Sequence, residues 1–184
     1  MNAAPPRVPY LTLALLAANL GLAIAAFLNL DLVETLGFHP DSPSLLQAFV
    51  SIFVHANTAH LLGNLVFLAA VGAAVELATG PFRYGVVYIV SGLLGVAVYW
   101  LSARRLPDPP VLVGASGAVA GCAVYYASRY HALRVLVAPG RAISILAVTG
   151  MWLALQVLGA FLVLGGAVSG RAFFAHLGGA VAGY

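Results

Sequence analysis

The sequence predicts an all-α membrane protein whose helices form a bundle of six transmembrane spans, and three observations lead to this prediction. Hydrophobic residues occupy 62% of the 184 positions and charged residues only 7%, with a mean hydropathy of +1.03. A soluble domain of this size carries about a quarter charged residues, so this surface must face an apolar solvent. Apolar runs of span length recur along the chain, and most of the charges lie near their ends. We therefore expect a multi-pass integral membrane protein without a separate soluble domain.

Runs of about 18 or more apolar residues are candidate spans, because about 20 helical residues cross a hydrocarbon core of ~30 Å. The predicted helices occupy residues 10–29, 60–78, 84–102, 111–128, 142–168 and 171–184. The last has about 14 residues, or about 21 Å of helix, so either the sixth helix is thin or it continues beyond Tyr184. The whole chain, residues 1–184, is thus assigned to one membrane domain.

The longest connection, residues 30–59, is expected to form a loop outside the membrane. It contains three of the five acids and the prolines Pro40 and Pro43. Within it, residues 45–54 are apolar but too few to cross the bilayer, which predicts a helix lying at the membrane interface.

The arginines indicate the orientation, because basic residues accumulate on the inner side of a membrane. With the N-terminus inside, five of the eight lie on the inner side (Arg7, Arg83, Arg129, Arg134 and Arg141), against Arg104, Arg105 and Arg171 outside. This excess predicts that both termini lie inside. The abundance of Ala, Gly and Leu, with arginine as the basic residue throughout, is typical of a GC-rich bacterial genome. We therefore expect the chain in a bacterial inner (plasma) membrane.

Polar side chains inside the spans are the functional candidates, because they are expensive in a bilayer and usually face the interior of a bundle. In the predicted arrangement, the second, fourth and sixth helices all start at the outer face. Four polar side chains then lie at one depth, near the outer ends of these helices: His60, Asn64, Ser116 and His176. We expect them to form one site.

Stripes of small residues accompany two of these candidates. They occur at Ser116, Ala120 and Ala123 on the fourth helix, and at Gly179 and Gly183 beside His176 on the sixth. Such stripes let two helix backbones approach closely. The pattern predicts that these two helices meet with Ser116 facing His176.

The remaining buried polar groups favour structural roles. Gln156, in the middle of the fifth helix, is expected to hydrogen-bond a neighbouring helix. Glu76 is expected to have a structural role, in which it could pair with Arg83. A metal site built from histidines is not favoured, because the sequence contains neither an HExxH motif nor a carboxylate–histidine pairing; the residues considered were His55, His60 and His176. We predict no metal and no other cofactor.

Three strings in the sequence, in this order along the chain, resemble signatures of the rhomboid intramembrane serine proteases. Residues 55–64 resemble the signature of the second helix, which ends in HxxxN, and residues 114–117 match GxSG. Residues 175–183 resemble the sixth-helix signature AHxxGxxxG, and Glu76, Gly80 and Arg83 resemble the turn after the second helix. Together the strings extend over nearly the whole chain.

The resemblance implies a rhomboid-like six-helix core with a Ser–His dyad, in which Ser116 is the nucleophile and His176 the base. It also implies an oxyanion hole formed by Asn64, His60 and the backbone N–H of Ser116. Four glycines would admit the substrate backbone or pack the helices: Gly114, Gly117, Gly179 and Gly183. The family usually has an aromatic residue four positions after the serine, where this chain has Ala120.

The sequence therefore predicts a serine endopeptidase that cuts transmembrane helices near the outer membrane face. The expected partners are a single-span membrane protein as substrate and the surrounding lipid, with no nucleic acid and no metal. Two alternatives remain open from the residues. One is a catalytically inactive relative that binds membrane-protein clients, and the other is a small transporter, which would have polar residues at several depths.

Overall fold

Helices form most of the computed structural model, which describes residues 8–29, 31–138, 140–164 and 172–184. A 3₁₀ segment, Ser51–Phe53, follows α3, and a π-helical segment, Leu68–Gly72, joins α4 and α5 into one continuous helix. The α-helices are α1 (Tyr10–Leu28), α2 (Asp31–Leu36), α3 (Leu45–Val50), α4 (Thr58–Phe67), α5 (Ala73–Thr79), α6 (Pro81–Ala103), α7 (Ser116–Arg129), α8 (Ile145–Leu164) and α9 (Ala172–Gly183).

Four helices are long and apolar enough to cross a membrane: α1, the continuous helix Thr58–Thr79, α6 and α8. Their outward surfaces carry large exposed apolar side chains, as expected for contact with lipid. Helices α7 and α9 are shorter, at 14 and 12 residues. Most of α7 is buried by its neighbours, so it forms the centre of the bundle. The chain is thus an integral membrane protein.

A β-hairpin precedes α8, and it occupies part of the predicted connection between the fourth and fifth helices and the first residues of the predicted fifth helix. Strands β1 (Arg134–Ala138) and β2 (Arg141–Ser144) pair antiparallel, and Gly140 turns between them with φ +71°. The predicted fifth helix, 142–168, therefore begins later, at Ile145. Hydropathy did not show this, because a short apolar run is compatible with either a strand or a helix. The described residues do not include the predicted end of the fifth helix or the predicted start of the sixth helix at 171. They also do not include Arg7 and Arg171.

The predicted fourth helix, 111–128, also begins later, at Ser116. The residues before it are extended: Phe38 and Leu112 exchange two backbone hydrogen bonds, each 3.0 Å long. Gly114 has φ +120°, a backbone conformation outside the helical region. These contacts end the extended segment just before Ser116, so the serine occupies the first turn of α7.

Helices α6, α7 and α9 pack against one another through glycines. A Cβ atom on Gly95 of α6 would lie 2.7 Å from the carbonyl oxygen of Ala175 on α9. A Cβ on Gly178 would lie equally close to the carbonyl oxygen of Leu94. The backbones are therefore in direct contact, which is how small residues hold helices together in a membrane.

Glu76 binds the first turn of α1 rather than Arg83, the partner that the sequence allowed. Its buried carboxylate accepts hydrogen bonds from the backbone N–H groups of Leu11 (2.9 Å) and Thr12 (2.7 Å) and from the Thr12 hydroxyl (2.8 Å). No ion pair joins Glu76 to Arg83 in the described ranges. A carboxylate at a helix N-terminus satisfies donors that have no partner within the helix. This contact fixes α1 to the end of α5.

The long connection between α1 and α4 folds as α2, α3 and the 3₁₀ segment. Apolar side chains of α3 are exposed, including Leu45 at 91% and Leu46 at 70%, which provides an apolar surface for the interfacial position predicted from the sequence. The Trp100 indole N–H donates to the carbonyl of Pro40 over 3.1 Å, and this bond ties the connection to α6.

Candidate active site

Ser116 lies in the first turn of α7, at the end of the extended segment described above. The first N–H groups of a helix have no acceptor within the helix, and they carry the positive end of its dipole. The Ser116 side chain is half-buried, whereas Ala115 before it and Gly117 after it are buried. The half-buried serine thus lies at the edge of the bundle core, beside backbone donors suited to a developing negative charge.

Gly114 brings this segment against α4. Its backbone N–H donates to the carbonyl of Ser51 over 2.9 Å, and a Cβ atom at this position would lie 2.7 Å from both Cε1 and Nε2 of His60. The same Cβ would be 3.7 Å from Nδ2 of Asn64. Only glycine fits, both for space and for its positive φ. The two polar side chains of α4 therefore face the chain two residues before Ser116.

The start of α4 fixes where His60 and Asn64 lie. Asn57 caps the helix by accepting a hydrogen bond from the His60 N–H, 2.9 Å long. One turn later, Asn64 Nδ2 donates to the His60 carbonyl over 3.0 Å. This bond uses one of the two N–H groups of the amide, so the other is available for a ligand.

The approach of α9 to α7 is closest at two glycine pairs. A Cβ on Gly179 would overlap the carbonyl group of Gly117, and a Cβ on Gly183 would overlap that of Gly121. Because both members of the second pair are four residues further along, the two helices run parallel. His176 is three residues before Gly179, and Ser116 is one residue before Gly117. The two side chains therefore start about 3 Å apart along the helix axes, at 1.5 Å per residue.

No hydrogen bond joins Ser116 Oγ to His176 within the described part of the chain. A cavity of about 10 Å³, roughly the smallest that can hold one water molecule, lies beside the serine. Its lining includes four glycines, at positions 92, 95, 114 and 117. Catalytic hydrogen bonds are often long in the absence of substrate and shorten when it binds, so this geometry is compatible with a base at His176.

His176 is held by α8. Its Nδ1 lies 2.7 Å from Oε1 of Gln156, and its ring packs against the Trp152 indole with centroids 5.8 Å apart. The predicted interhelical hydrogen bond of Gln156 is thus confirmed. Its partner was not predicted, and neither was the contact with Trp152. The sequence signal for this pair is the spacing of Trp152 and Gln156, which are four residues apart and therefore share one face of α8.

His55 lies behind His60, outside the membrane-spanning helices. Its side chain is 1% exposed, and within the described ranges neither ring nitrogen has a hydrogen-bond partner. The two imidazoles contact edge to face, with ring centroids 5.2 Å apart. Burial, with a smaller contribution from His60, lowers the pKa of His55 to about 4. His55 is therefore neutral near pH 7.

The arrangement brings the Ser116 hydroxyl, the His176 imidazole and several neutral hydrogen-bond donors to one end of the bundle. A serine hydroxyl becomes a useful nucleophile when a base accepts its proton. Amide, imidazole and backbone N–H donors can stabilise an oxyanion, and they do so most strongly in a site of low dielectric constant. The site therefore has the groups that acyl transfer requires.

Comparison with known proteins agrees with the fold. The sequence model of the rhomboid domain matches residues 42–184. The chain is 38% identical over 104 residues to "Rhomboid-like protein 11, chloroplastic" of Arabidopsis thaliana, a match that covers 56% of this chain and 36% of that protein. It is 37% identical over 70 residues to "RHOMBOID-like protein 5" of the same plant, which covers 38% of this chain and 22% of that protein. The matches thus span about a third or less of each relative's length.

Proposed function

The chain belongs to the rhomboid family, and from this membership we propose that it is an intramembrane serine endopeptidase that cleaves transmembrane helices near the outer membrane face. In this proposal Ser116 is the nucleophile and His176 the general base. The oxyanion hole consists of the Asn64 amide, the His60 ring and the Ser116 backbone N–H. The reaction uses no metal or cofactor.

The reaction proceeds in two acyl transfers. His176 accepts the proton of Ser116 Oγ while the oxygen attacks the scissile carbonyl carbon, and the oxyanion that forms accepts hydrogen bonds from the donors of α4 and α7. The protonated imidazole then gives its proton to the leaving amine, which releases the first product. Water, deprotonated by the same imidazole, hydrolyses the acyl-enzyme and frees the serine.

The observation that supports this proposal most directly is the parallel contact of α7 and α9. The glycine pairs 117–179 and 121–183 leave no space for side chains between the two backbones, and they bring Ser116 and His176 to nearly the same level. The positive φ of Gly114 adds the third side of the site, because it puts His60 and Asn64 beside the same segment.

The proposed topology has six spans with both termini inside, in which the short helices α7 and α9 are surrounded by the four longer ones. The site would then open outward, where the N-terminal ends of α4, α7 and α9 meet. The proposal requires a lipid bilayer but not a particular one. The relatives are plant proteins, one of them named chloroplastic, so the comparisons give no support to the expectation of a bacterial inner membrane.

The proposed substrate is a single-span membrane protein whose helix unwinds near the outer face. A serine attacks an extended backbone, and a small residue at the cut would fit beside the glycines around Ser116. The cavity of about 10 Å³ beside Ser116 has no room for a peptide segment. Substrate binding must therefore displace part of the surrounding structure.

The test is cleavage of a single-span model substrate in proteoliposomes by the wild type, Ser116→Ala and His176→Ala. Ser128→Ala, on the same helix, and His131→Ala, at an exposed position, are the matched controls. We expect cleavage by the wild type and both controls, and none by the two site variants. Equal cleavage by all five proteins would overturn the dyad.

The inactive client-binding alternative gives a different result. In that case the wild type, folded and bound to the model substrate in pull-down, leaves the substrate intact. A transporter would also leave it intact and would not retain it. The same set of proteins therefore separates the three functions.

A further inference from the structure

The catalytic histidine of the proposed dyad has a hydrogen-bond partner that the rhomboid signatures do not contain. Gln156 of α8 is buried, and its Oε1 lies 2.7 Å from Nδ1 of His176. Among the described residues, this is the hydrogen bond that holds the ring of His176. Because the contact is between side chains twenty residues apart, α8 and α9 must stay packed for it to persist.

The amide of Gln156 has a defined orientation. Its Nε2 donates to the carbonyl of Trp152, one turn earlier on α8, over 3.4 Å. With the amide N–H₂ turned to this carbonyl, Oε1 faces the histidine, and an amide oxygen can only accept. This orientation favours the imidazole tautomer in which Nδ1 of His176 carries the proton. In a neutral imidazole the other nitrogen, Nε2, then has the free lone pair.

That tautomer is the one that a general base acting through Nε2 needs. A ring with its proton on Nε2 would present a donor to the serine and could not remove its proton. In serine hydrolases with a triad, a carboxylate fixes the tautomer in this way. The described part of this chain has no carboxylate near His176 to do so. A neutral amide performs the same task without a buried charge in the membrane.

Trp152 adds a packing surface for the ring. Its indole lies against the His176 imidazole at 5.8 Å between centroids and an interplanar angle of 40°. Position 120 on α7, four residues after the serine, is a buried alanine and offers the ring no such surface. The support of His176 thus comes from α8, through two side chains on one face of that helix.

We propose that Gln156 is a positioning residue that keeps His176 in the tautomer protonated on Nδ1, with Trp152 holding the plane of the ring. This inference rests on the proposed function, since it assigns a role within the Ser116–His176 dyad.

The kinetic test compares Gln156→Leu with Gln156→Glu in proteoliposomes. Leucine removes the acceptor, so we expect kcat to fall about 10- to 100-fold with KM little changed, as for other partners that orient a functional histidine. Glutamate keeps an oxygen at the same reach and should recover most of kcat. Gln47→Leu, the same replacement in α3 far from His176 in sequence, should leave kcat unchanged. Rates are taken per folded protein, from the fraction that elutes as a monodisperse species.

The second measurement does not depend on activity. Histidine ¹⁵N spectra are recorded for the Ser116→Ala protein with and without Gln156→Leu, and the signals of His176 are assigned by their loss in His176→Ala. We expect Nδ1 protonated and Nε2 unprotonated at neutral pH when Gln156 is present, with the other tautomer rising when it is replaced.

The outcomes separate the two proposals. An Nε2-protonated His176 in the presence of Gln156, or an unchanged kcat in folded Gln156→Leu, would overturn the positioning role. A folded wild type that cleaves nothing would overturn the proposed function, whatever the tautomer. Loss of kcat in Gln156→Leu, rescue by glutamate and the tautomer change together establish the inference.

Discussion

Gly179 of α9 packs directly on the carbonyl group of Gly117 of α7, so closely that a Cβ atom on Gly179 would overlap it. This backbone contact sets the distance between the helix that carries Ser116 and the helix that carries His176. Because the overlapping atoms belong to a backbone, they cannot move aside as a flexible side chain could.

Gly179→Ala is expected to reduce the cleavage rate about 100-fold and to lower the thermal midpoint of unfolding. One added methyl must push α7 and α9 apart, and a displacement of about 1 Å in an active site can reduce the rate about 100-fold. Cleavage assays and thermal melts in detergent check both effects. The matched control is Gly150→Ala in α8, where an added Cβ meets nothing within 4 Å. Wild-type activity in folded Gly179→Ala would show that the contact is not critical.

Gly114→Ala is expected to reduce kcat by about 100-fold with a smaller effect on stability. The new Cβ would lie 2.7 Å from the His60 ring, and alanine is strained at φ +120°. The control is Gly140→Ala in the β-hairpin, which has φ +71° but open space around its Cβ position. Equal losses of activity in both variants would point to a general effect of strain rather than to displacement of His60.

Asn64→Ala is expected to lower kcat by about 100- to 1000-fold, the usual effect of removing one oxyanion-hole donor, and to leave KM little changed. Asn64→Asp should be at least as severe, because it puts an acceptor and a negative charge where the oxyanion forms. Asn29→Ala, at the exposed end of α1, serves as the control. A change of less than threefold in folded Asn64→Ala would remove Asn64 from the proposed oxyanion hole.

Glu76→Gln is expected to destabilise the fold by about 2 kcal/mol, because hydrogen bonds to a charged group contribute about 1.5–3 kcal/mol each and glutamine retains only one acceptor oxygen. The thermal midpoint should fall by several degrees, while kcat measured at low temperature stays near the wild-type value. Glu34→Gln, whose side chain is 72% exposed, should change neither quantity. If both variants melt like the wild type, the contact of Glu76 with α1 does not stabilise the bundle.

Acid should destabilise the protein through His55. Its pKa is lowered by burial from 6.5 to about 4, so below pH 6.5 the unfolded chain binds a proton that the folded chain does not. The contribution of His55 to the free energy of unfolding is therefore constant above pH 6.5, and it falls as the pH decreases from 6.5 towards 4. Thermal midpoints between pH 7.5 and 4.5 measure the effect. The fall should be smaller in His55→Phe than in the wild type and in the exposed-site control His131→Phe.

Membrane insertion and the positions of the main spans follow from composition, because about 20 consecutive apolar residues have few stable alternatives to a transmembrane helix. The starts of the fourth and fifth predicted helices were less accurate. Residues 111–115 and 142–144 are apolar enough for a helix, but Leu112 pairs with Phe38, and β2 pairs with β1. Such pairings depend on distant residues, so local hydropathy does not indicate them.

The candidate site was also predicted in part from the sequence. The order of the polar groups along the chain and their place near the starts of three helices were visible in the sequence, since helix periodicity fixes which residues share a face. The sequence did not identify the partner of Glu76: charge allowed Arg83, whereas backbone N–H groups of α1 satisfy the carboxylate.

The sequence by itself determined that this chain lies in a membrane, that it belongs with the rhomboid signatures, and which polar side chains are available for chemistry. Those properties depend on composition and on spacing within single helices. Only the tertiary structure decided that Gln156 and Trp152 hold His176, that Gly114 meets His60, and that Gly179 meets Gly117. Each of these contacts joins two different helices or a helix and a loop, and its existence depends on how the backbones pack in three dimensions.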